Sequence, residues 1–327
     1  MNLLITGGLG YIGAHLSVEL LKSNTKVFVL DDLSNSSFTK KKNIEKLSKK
    51  KIIFIKNDLS NYKKISKILK DNKIDVVFHL AGSKAVNESI IKPYKYYLNN
   101  SFSTMQLLRA MNESNVNKII FSSSATVYGV RNKNGIKETS NLETINPYGT
   151  SKLISEKLII DQSKIFKKFN YIILRYFNPI GYHLSGLLSD DKSNDNLVPN
   201  LINNLKLKKP FLVYGKNYNT KDGTAIRDYI HINDLISAHV LSLKYIHKNK
   251  SEIFNVGTGK GYSVLQILKV FQKVLNKKIP FKFVKSRKGD PAVIYCTSTK
   301  IKKVLKWKPA YSLLDMCQHA IKDLIDE

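Results

Sequence analysis

A glycine-rich turn near the start of the chain limits the folds that this sequence can adopt. The apolar run Asn2–Thr6 has the length of a strand, and glycines follow it at positions 7, 10 and 13. A helical spacing of apolar residues then starts at Ile12 and includes Leu16, Leu20 and Leu21. A strand that enters a helix through glycines lets the backbone approach a phosphate group, and the helix N-terminus favours negative charge. A tight loop without a ligand is the competing interpretation of these glycines alone.

The second apolar run decides between these interpretations. Lys26–Leu30 has strand character and ends at Asp31, about 20 residues after the glycine turn. An acidic residue at that distance is expected to bind the ribose hydroxyls of an adenine dinucleotide, which selects NAD over its 2′-phosphorylated form. The sequence therefore predicts NAD as the cofactor.

Strand and helix patterns alternate through the first half of the chain. Further strands are predicted at 51–56, 75–80, 118–122 and 171–175, and helices at 62–69, 94–113 and 148–166. This alternation predicts an α/β fold with a Rossmann-type doubly wound parallel sheet. After Asn178 the pattern loosens, although 253–257 resembles one more strand of the same sheet.

We therefore predict two lobes with an active site in the cleft between them. The first is an NAD-binding Rossmann domain at 1–177, with a returning segment near 225–257. The second is a smaller C-terminal α/β substrate lobe at 178–327.

Polar or small residues stand where the predicted strands end. They are Asp31, Asp58, Ala81-Gly82 and Ser122–Ser124. Each one alone is equally well a turn residue, but parallel strands end at one edge of a sheet, where ligands bind. Ser124 is the most specific of them, because a hydroxyl there would hold a substrate alcohol by a hydrogen bond.

Tyr148 and Lys152 are four residues apart on a predicted helix, so their side chains share one face. Free tyrosine has a pKa of about 10, and a nearby cation is expected to lower it by stabilising the phenolate. Such a tyrosine takes a proton from an alcohol while a cofactor takes the hydride. A solvated pair is the alternative for this motif in isolation.

Charge and composition exclude several other classes of function. The chain has 327 residues and a formal net charge of +29, nearly all of it from lysine. Runs such as Lys40–Lys42 and Lys49–Lys51 are expected at solvated loops and helix ends, so weak polyanion binding is predicted but no specific nucleic-acid partner. No apolar run reaches the ~20 residues of a membrane span.

Two cysteines form neither a disulfide framework nor a metal set, which favours a cytoplasmic location and no metal site. Two histidines are also expected to be structural, because His79 and His231 lie within apolar strand patterns.

Four stretches of the chain together resemble the extended short-chain dehydrogenase/reductase family. They are Thr6–Gly13, Ser122–Gly129, Tyr148–Lys152 and Arg175–Pro179. More narrowly, the chain is similar to the UDP-glucose 4-epimerases of that family over nearly its whole length. The stretches Lys84–Ser89, Ser122–Gly129 and Arg227–His231 are more specific to the epimerases than the glycine turn and Tyr-x-x-x-Lys motif.

The resemblance implies a reaction at C4 of the sugar in a UDP-sugar. Tyr148 would remove the proton of the 4-hydroxyl, Ser124 would align the reacting oxygen, and Lys152 would lower the tyrosine pKa and bind the nicotinamide ribose. The hydride passes to a tightly bound NAD, regenerated in each turnover, and returns to the other face of the 4-keto sugar. UDP-galactose and UDP-glucose are thereby interconverted.

The motifs and the resemblance together give the predicted binding residues. For the cofactor they are Gly7, Gly10, Tyr11, Ile12, Gly13, Asp31, Asn35, Asp58, Leu59, Ala81, Gly82, Lys84, Asn99, Ser122, Tyr148, Lys152 and Phe177. For the UDP-sugar they are Lys84, Ser124, Tyr148, Asn178, Asn196, Leu197, Arg227, Tyr229, Arg287, Asp290 and Ile294. The planar guanidinium of an arginine suits a diphosphate.

Three alternatives remain beside this interpretation. Ile294 stands where the family places a gate beside the sugar 2-substituent, so a UDP-N-acetylglucosamine 4-epimerase or another NAD-dependent nucleotide-sugar epimerase is the first. A 4,6-dehydratase is the second, but such enzymes carry an acid pair where this chain has Ala125 and Thr126. A non-catalytic nucleotide- or polyanion-binding protein is the third. The resemblance also implies a homodimer that forms through two helices of each subunit.

Overall fold

A computed structural model gives the structure of residues 1–129, 135–189, 196–287 and 290–322. Its strands are β1 (Asn2–Thr6), β2 (Lys26–Asp31), β3 (Ile53–Lys56), β4 (Val76–His79), β5 (Lys118–Ser124), β6 (Asn170–Tyr176), β7 (Asn178–Ile180), β8 (Phe211–Tyr214), β9 (Ile226–His231), β10 (Glu252–Val256), β11 (Gly261–Ser263), β12 (Phe281–Val284) and β13 (Val293–Ile294). Its α-helices are α1 (Tyr11–Leu21), α2 (Thr39–Ser48), α3 (Tyr62–Asp71), α4 (Val86–Ile91), α5 (Pro93–Tyr96), α6 (Ser103–Glu113), α7 (Pro147–Ile165), α8 (Leu197–Lys206), α9 (Ile232–Ile246), α10 (Val264–Val274), α11 (Thr299–Leu305) and α12 (Leu313–Ala320).

The predicted central sheet is confirmed. Seven strands lie in the order β10-β6-β5-β4-β1-β2-β3, and the register pairs from β3 through β5 are parallel. The order reverses between β1 and β4, which in such sheets marks the crevice where ligands bind. The late strand β10 closes one edge beside β6, so the expected return of the chain near 253–257 is also confirmed.

The strands of this sheet are almost wholly apolar because helices cover both of its faces. Leu3, Leu4 and Ile5 in β1 are completely buried, and so are Val76 and Val77 in β4. Continuous apolar runs of this kind are typical of parallel strands, whereas a sheet with one wet face shows alternation. The burial fixes the register and hence the edge at which the strand ends meet.

One predicted helix is interrupted. The sequence predicts a continuous helix over 94–113, but α5 and α6 are separated by a π-helical turn at Tyr97–Phe102. Such turns arise where local side-chain demands outweigh regular backbone bonding, often at functional sites. Here the buried Asn100 lies within the turn and bonds to two neighbouring segments, which the periodicity of apolar residues does not reveal.

The chain divides into two compact units, each with its own core. The first comprises 1–127, 146–175 and 236–254, and the described parts of 128–145, 176–235 and 255–322 form the second. In the second unit, β9 is the shared strand of a four-stranded sheet with β7, β11 and β13, and β8 pairs with β12. The assignment of 1–177 to NAD and 178–327 to the sugar nucleotide stays a prediction.

The sequence predicts that the lysine runs are solvated and that no segment spans a membrane. Lys40–Lys42 lie in the first turn of α2, yet Lys40 is buried, so the expectation of a solvated run is wrong at that position. Among the helices of the described ranges, none is both long enough and apolar enough to cross a bilayer.

Candidate functional site

The glycine turn between β1 and α1 is packed so closely that side chains do not fit. Gly7 has a φ of +68°, and a Cβ there would lie 2.8 Å from the backbone of Ala81. At Gly13 a Cβ would lie 2.6 Å from the Gly8 Cα atom, so the start of α1 rests directly on the turn. The sequence needs glycine at these two positions for the strand, the turn and the helix to meet.

The N-terminus of α1 fits an anionic group. The helix begins after Gly10, and no side-chain hydrogen bond caps it. The first N–H groups of a helix lack partners within the helix and carry a partial positive charge. A pyrophosphate at this end would therefore meet both hydrogen-bond donors and a favourable dipole.

Asp31 lies beside this turn at the end of β2. Its Oδ2 accepts a hydrogen bond from the Leu9 amide at 3.0 Å, and its Oδ1 accepts from the Leu33 amide at 3.0 Å and the Ser36 hydroxyl at 2.7 Å. A carboxylate offers about four acceptor positions, so these three bonds leave room for a ribose hydroxyl. The remaining acceptor capacity of Asp31 therefore fits the ribose of the dinucleotide that the sequence predicts.

The other predicted cofactor residues of the first unit lie at strand ends or in the loops after them, except Asn99, which lies in the π-helical turn. Leu59 and Ser122 are buried, whereas Asn35, Asp58, Lys84 and Asn99 are exposed. Asp58 accepts hydrogen bonds from the amide and the hydroxyl of Ser60, which lower the carboxyl pKa. Their roles as NAD contacts stay predictions.

Three consecutive serines at the end of β5 each contact a different residue on one face of α7. Ser122 accepts a 2.8 Å hydrogen bond from Lys152 Nζ through its carbonyl oxygen. The Ser123 hydroxyl donates to Glu156, and the Ser124 hydroxyl is hydrogen-bonded to Tyr148. The structure thus brings together the three predicted catalytic residues Ser124, Tyr148 and Lys152.

The pKa of Tyr148 differs from the expectation. Burial raises it above its ordinary value, and the hydrogen bond with Ser124 opposes that rise. The prediction of a lowered pKa is therefore wrong for the structure, because the sequence spacing gave the pair its proximity but not the cost of burying a phenolate. The hydrogen bond with Ser124 favours the ionised form, and a contribution from the charge of Lys152 stays a prediction.

Lys152 has an ammonium group with an unusual environment. It is buried at the end of β5, where burial lowers its pKa to about 8 and the charge of Glu156 opposes that change. Its Nζ also lies 5.0 Å from the centre of the Phe121 ring. The group is still mostly protonated at neutral pH, so it presents a positive charge and N–H donors.

Asn100, together with the predicted residue Asn99, holds the loop after β4, and the sequence prediction omitted Asn100 and its partners. Asn100 Oδ1 accepts from the Ser83 amide at 2.7 Å, and its Nδ2 donates to the Ser151 hydroxyl at 2.8 Å. Asn99 Nδ2 donates to the Ser83 hydroxyl at 3.1 Å. The π-helical turn thereby ties the loop that carries Gly82 to α7. The polar pair Asn99-Asn100 in an otherwise helical pattern was the only sequence signal of this tie.

The two histidines have structural partners, as expected. His79 is bonded through both ring nitrogens, to the Thr6 and Thr104 hydroxyls at 2.8 and 3.0 Å. Burial lowers its pKa to about 3, with a further contribution from the charge of Lys152. His231 accepts from the Asn233 amide and shares a 3.0 Å hydrogen bond with His319.

Four of the eight predicted UDP-sugar residues of the second unit lie on β9 or on strands paired with it. Arg227 and Tyr229 are on β9, Asn178 is opposite Tyr229 on β7, and Ile294 is opposite Arg227 on β13. Asn178 Nδ2 also donates to the Asp228 carbonyl at 2.9 Å. Burial raises the pKa of Tyr229 well above the ordinary tyrosine value. Asn196 and Leu197 stand at the start of α8.

A charged and aromatic cluster surrounds the predicted arginines. Arg227 Nη2 lies 2.5 Å from Asp290 Oδ1, and Tyr218 donates to the other carboxylate oxygen at 3.5 Å. Arg287 lies over the ring of Tyr214, 4.4 Å from its centre. Tyr214 and Tyr218 were absent from the prediction, because nothing in their spacing distinguishes them from core tyrosines. Asp290 thus holds Arg227 in place in addition to any contact with a ligand.

Asp228 is a further buried carboxylate, and it organises this part of the chain. It accepts from the Thr258 amide and hydroxyl at 2.8 Å, from the Gly259 amide at 3.0 Å and from the Cys296 amide at 3.3 Å. Within the described residues, no group of three or more His, Cys, Asp or Glu side chains is placed to hold a metal ion. Asp228 is accordingly a structural anchor for β9.

Comparison with known proteins places these features in context. The sequence model of the NAD dependent epimerase/dehydratase family matches residues 3–257. UDP-glucose 4-epimerase of Bacillus subtilis is 42% identical over 321 residues, covering 97% of this chain and 95% of that protein. The structure of UDP-glucose 4-epimerase from Bifidobacterium longum in complex with NAD⁺ and UDP has a TM-score of 0.95 at 39% identity, covering 100% and 99% of the two chains. The UDP-Glc/GlcNAc 4-epimerase of Campylobacter jejuni has a TM-score of 0.86 at 36% identity, covering 98% of each chain.

Proposed function

The chain belongs to the NAD-dependent epimerase/dehydratase family, and on that premise we propose that it interconverts UDP-galactose and UDP-glucose. It is an isomerase that uses NAD, as the family and the relatives with bound NAD support. The resemblance that the motifs suggested is confirmed by the identity of about 40% to curated epimerases over nearly the whole chain.

One observation carries the proposal. Ser124 and Tyr148 are hydrogen-bonded to each other, and Lys152 stands one helical turn along α7 with its Nζ held by Ser122. This places a hydroxyl pair and an ammonium at the carboxyl ends of parallel strands, close to the glycine turn in the order of the sheet. Such a group is suited to removing a proton from an alcohol and returning it.

The proton transfer follows from the pKa values of the two side chains. Tyr148 takes the proton of the sugar 4-hydroxyl in its phenolate form and becomes neutral by doing so, and because burial raises its pKa, this phenolate needs stabilisation. Ser124 holds the sugar 4-hydroxyl and the phenolic oxygen in one hydrogen-bonded array, and the positive charge of the Lys152 ammonium favours the phenolate before the proton is transferred. NAD, when bound, supplies the acceptor that takes the C4 hydride and returns it to the other face.

The residues of the first unit that would hold this cofactor are chemically suited to it. The uncapped start of α1 suits the pyrophosphate, and Asp31 suits the adenosine ribose. The other proposed cofactor contacts, beside the glycines, Tyr148 and Lys152, are Tyr11, Ile12, Asn35, Asp58, Leu59, Ala81, Gly82, Lys84, Asn99, Ser122 and Phe177. In the second unit we assign the UDP-sugar to Asn178, Asn196, Leu197, Arg227, Tyr229, Arg287 and Asp290, with the two arginines binding the diphosphate.

Incubation of the purified protein with UDP-galactose, without added NAD⁺, tests the proposal. UDP-glucose is expected as the product, because a tightly bound cofactor is regenerated in each turnover. Tyr148→Phe is the matched control, since it loses only one oxygen atom. If protein that carries NAD leaves UDP-galactose unchanged, the proposed function is wrong.

Activity on N-acetylated sugars is a second candidate, and Ile294 bears on it. The Campylobacter jejuni relative is described as acting on both UDP-Glc and UDP-GlcNAc. Isoleucine is intermediate in size between a small residue that would admit the acetamido group and a tyrosine that would block it. We expect UDP-glucose and UDP-galactose to be the main pair and N-acetylhexosamine turnover to be weak. An equal or higher kcat/KM on the N-acetyl pair would reverse this order.

Two rivals fit the residues less well. A 4,6-dehydratase needs an acid and a base after Ser124, but Ala125 and Thr126 stand there, and the Thr126 hydroxyl donates to Ser124 at 3.0 Å. A polyanion-binding protein would not need the Ser124–Tyr148–Lys152 arrangement. Formation of a 4-keto-6-deoxy product from a UDP-hexose would favour the dehydratase.

We propose a homodimer that forms through the face of α4 to α6. Ile91 and Tyr94 are 78% and 82% exposed, and Ile90, Leu98 and Met105 add to the same exposed apolar surface. Apolar surfaces of this kind mark interaction sites. Ile91→Lys is expected to give a monomer in light scattering, whereas Leu207→Lys, an exposed leucine of the second unit, should leave the dimer intact. A cytoplasmic location stays a prediction, supported by two cysteines that are both unpaired.

A further inference from the structure

A buried ion pair lies behind the proposed catalytic residues. Arg175 on β6 and Glu156 on α7 are 2% and 1% exposed. Arg175 Nε donates to Glu156 Oε1 at 3.0 Å, and its Nη2 donates to Oε2 at 2.7 Å, so the contact is bidentate. The Ser123 hydroxyl donates to the same carboxylate.

Glu156 of this pair is linked to both elements that carry the catalytic group, the helix α7 and the strand β5. Tyr148, Lys152 and Glu156 follow each other at intervals of four residues on α7, so they share one face of the helix. Ser123, which bonds to Glu156, is flanked in β5 by Ser122 and Ser124, which contact Lys152 and Tyr148. Glu156 is therefore fixed to the strand and the helix that carry the reacting groups.

Stability alone does not account for a pair of this kind. Two charges lose much hydration on burial, and apolar residues of the same volume often stabilise a fold as well or better. Apolar residues precede the partners on both strands: Ile119 and Phe121 on β5 and Ile173 on β6 are fully or almost fully buried in one apolar cluster. A charge retained here has a function that an apolar side chain lacks.

Lys152 is the cation that this charge affects. The groups that face Lys152 are Tyr148 and Glu156 on α7, His79 on β4 and, behind Glu156, Arg175 on β6. His79 is neutral, because burial lowers its pKa to about 3. Glu156 is thus the anion that favours the protonated form of Lys152 against burial.

We propose that Glu156, held by Arg175 and Ser123, is a positioning residue that keeps Lys152 charged and aligns β5 with α7 for the reaction. The proposal rests on the proposed function for its kinetic consequences. Arg175 fixes the orientation of the carboxylate through two hydrogen bonds, and the hydrogen bond from Ser123 joins that carboxylate to the strand that carries Ser124.

Kinetics of three variants test the positioning role. Glu156→Gln keeps the shape and removes the charge, so kcat is expected to fall about 10- to 100-fold, as for a misplaced reacting group. The alkaline limb of its pH profile should move to lower pH, because Lys152 loses its proton more easily. Because this variant leaves Arg175 buried without a counter-charge, Glu156→Met combined with Arg175→Met removes both charges, and the same loss and shift are expected. Ser123→Ala is the mildest change, and kcat should fall with KM unchanged.

The matched control is Asp161→Asn on the same helix, which removes an exposed ion pair with Lys164. It should show wild-type kcat and pH dependence. Wild-type kcat and an unshifted alkaline limb in Ser123→Ala and in a folded double-methionine variant would overturn the proposal. If the methionine variant does not fold, Ser123→Ala decides alone.

A second measurement does not depend on turnover. The free energy of unfolding in urea at pH 7 is measured for the wild type, Ser123→Ala, Lys152→Met and their combination, and the same cycle is made with Glu156→Gln. Non-additive effects are expected, because the carboxylate acts on the charge of Lys152. Additive effects in both cycles would contradict the proposal. If the wild type converts no UDP-sugar, the proposed function fails, while this cycle still decides whether Glu156 acts on Lys152.

Discussion

Lys152 extends from α7 to the end of β5, where its Nζ donates a 2.8 Å hydrogen bond to the carbonyl oxygen of Ser122. The bond fixes a buried ammonium beside the two hydroxyls of the proposed site. Since burial lowers the pKa of this group to about 8, its charge is sensitive to pH just above neutrality.

Activity should therefore fall as the pH rises through the pKa of Lys152. Below about pH 8 the Lys152 side chain is charged and favours the phenolate of Tyr148. Above this pH the charge and its stabilising effect are lost. Lys152→Met should lose most turnover at every pH and should lack this alkaline limb. The measurement is kcat for UDP-galactose between pH 6 and pH 10. Lys157→Met, an exposed lysine on the same helix, should keep the wild-type profile; a wild-type limb in Lys152→Met would contradict the assignment.

The same group predicts a pH dependence of stability. The folded-state pKa of about 8 is depressed below the ordinary value of 10.5, so between these values the unfolded chain holds a proton that the folded chain has lost. The free energy of unfolding should therefore rise with pH across this window, by at most about 1.4 kcal/mol per pH unit. Urea unfolding of the wild type and of Lys152→Met checks this. The difference between the two should grow in favour of the wild type from pH 8 to pH 10, and a constant difference would argue against the shifted pKa.

Tyr148→Phe should lose turnover while the fold and the bound cofactor are retained. The ring of Tyr148 packs edge-to-face on Tyr96 at 6.3 Å, and phenylalanine preserves that contact. Loss of a general base costs typically about 10²- to 10⁴-fold in rate. Rates with UDP-galactose and the NAD content of the purified variant are the measurements. Tyr245→Phe on α9 serves as the control, and a Tyr148→Phe variant with wild-type kcat would exclude Tyr148 as the base.

Gly13→Ala should destabilise the protein more than Gly10→Ala. A Cβ at Gly13 would overlap the backbone of Gly7 and Gly8, whereas at Gly10 the nearest atom is the Gly7 carbonyl oxygen at 3.2 Å. Overpacking of this kind costs about 1–3 kcal/mol. Urea unfolding of both variants gives the comparison. Equal stability of the two would mean that the turn relaxes around the new methyl group.

Ile294→Ala should raise the activity on UDP-N-acetylglucosamine relative to UDP-glucose, and Ile294→Tyr should lower it. The expectation follows from the space that each side chain leaves for an acetamido group. The ratio of kcat/KM for the two substrates is the measurement, with Val293→Ala, its neighbour on β13, as the control. An unchanged ratio in both Ile294 variants would remove this residue from the determinants of substrate choice.

The strands and the glycine turn were predictable because local chemistry determines them. The apolar runs that end at Thr6, Asp31 and His79 became parallel strands whose ends share one edge, as their length and composition predict. Only glycine fits at positions 7 and 13, so the turn was visible in the sequence as well. These signals depend on neighbours in the chain and not on the rest of the fold.

The contacts among distant residues were not predictable in the same way. Asn100 and Ser151 are 51 residues apart, and their hydrogen bond exists only because the π-helical turn directs the amide towards α7. The raised pKa of Tyr148 likewise depends on burial, which spacing does not reveal. The role of Glu156 was not predicted, although this residue follows Lys152 by one helical turn, because its partner Arg175 lies on the strand β6 and is distant in the sequence.

The return of β10 to the sheet has a consequence for synthesis on the ribosome. Strand β6 ends at Tyr176, but its outer neighbour spans Glu252–Val256, so more than 70 residues are translated between the two. During that interval a nascent chain presents β6 as an open edge with unsatisfied amide and carbonyl groups, which is a template for wrong pairing. Truncated products that stop before residue 252 should therefore require chaperones or precipitate, whereas chains released after residue 256 have that edge closed.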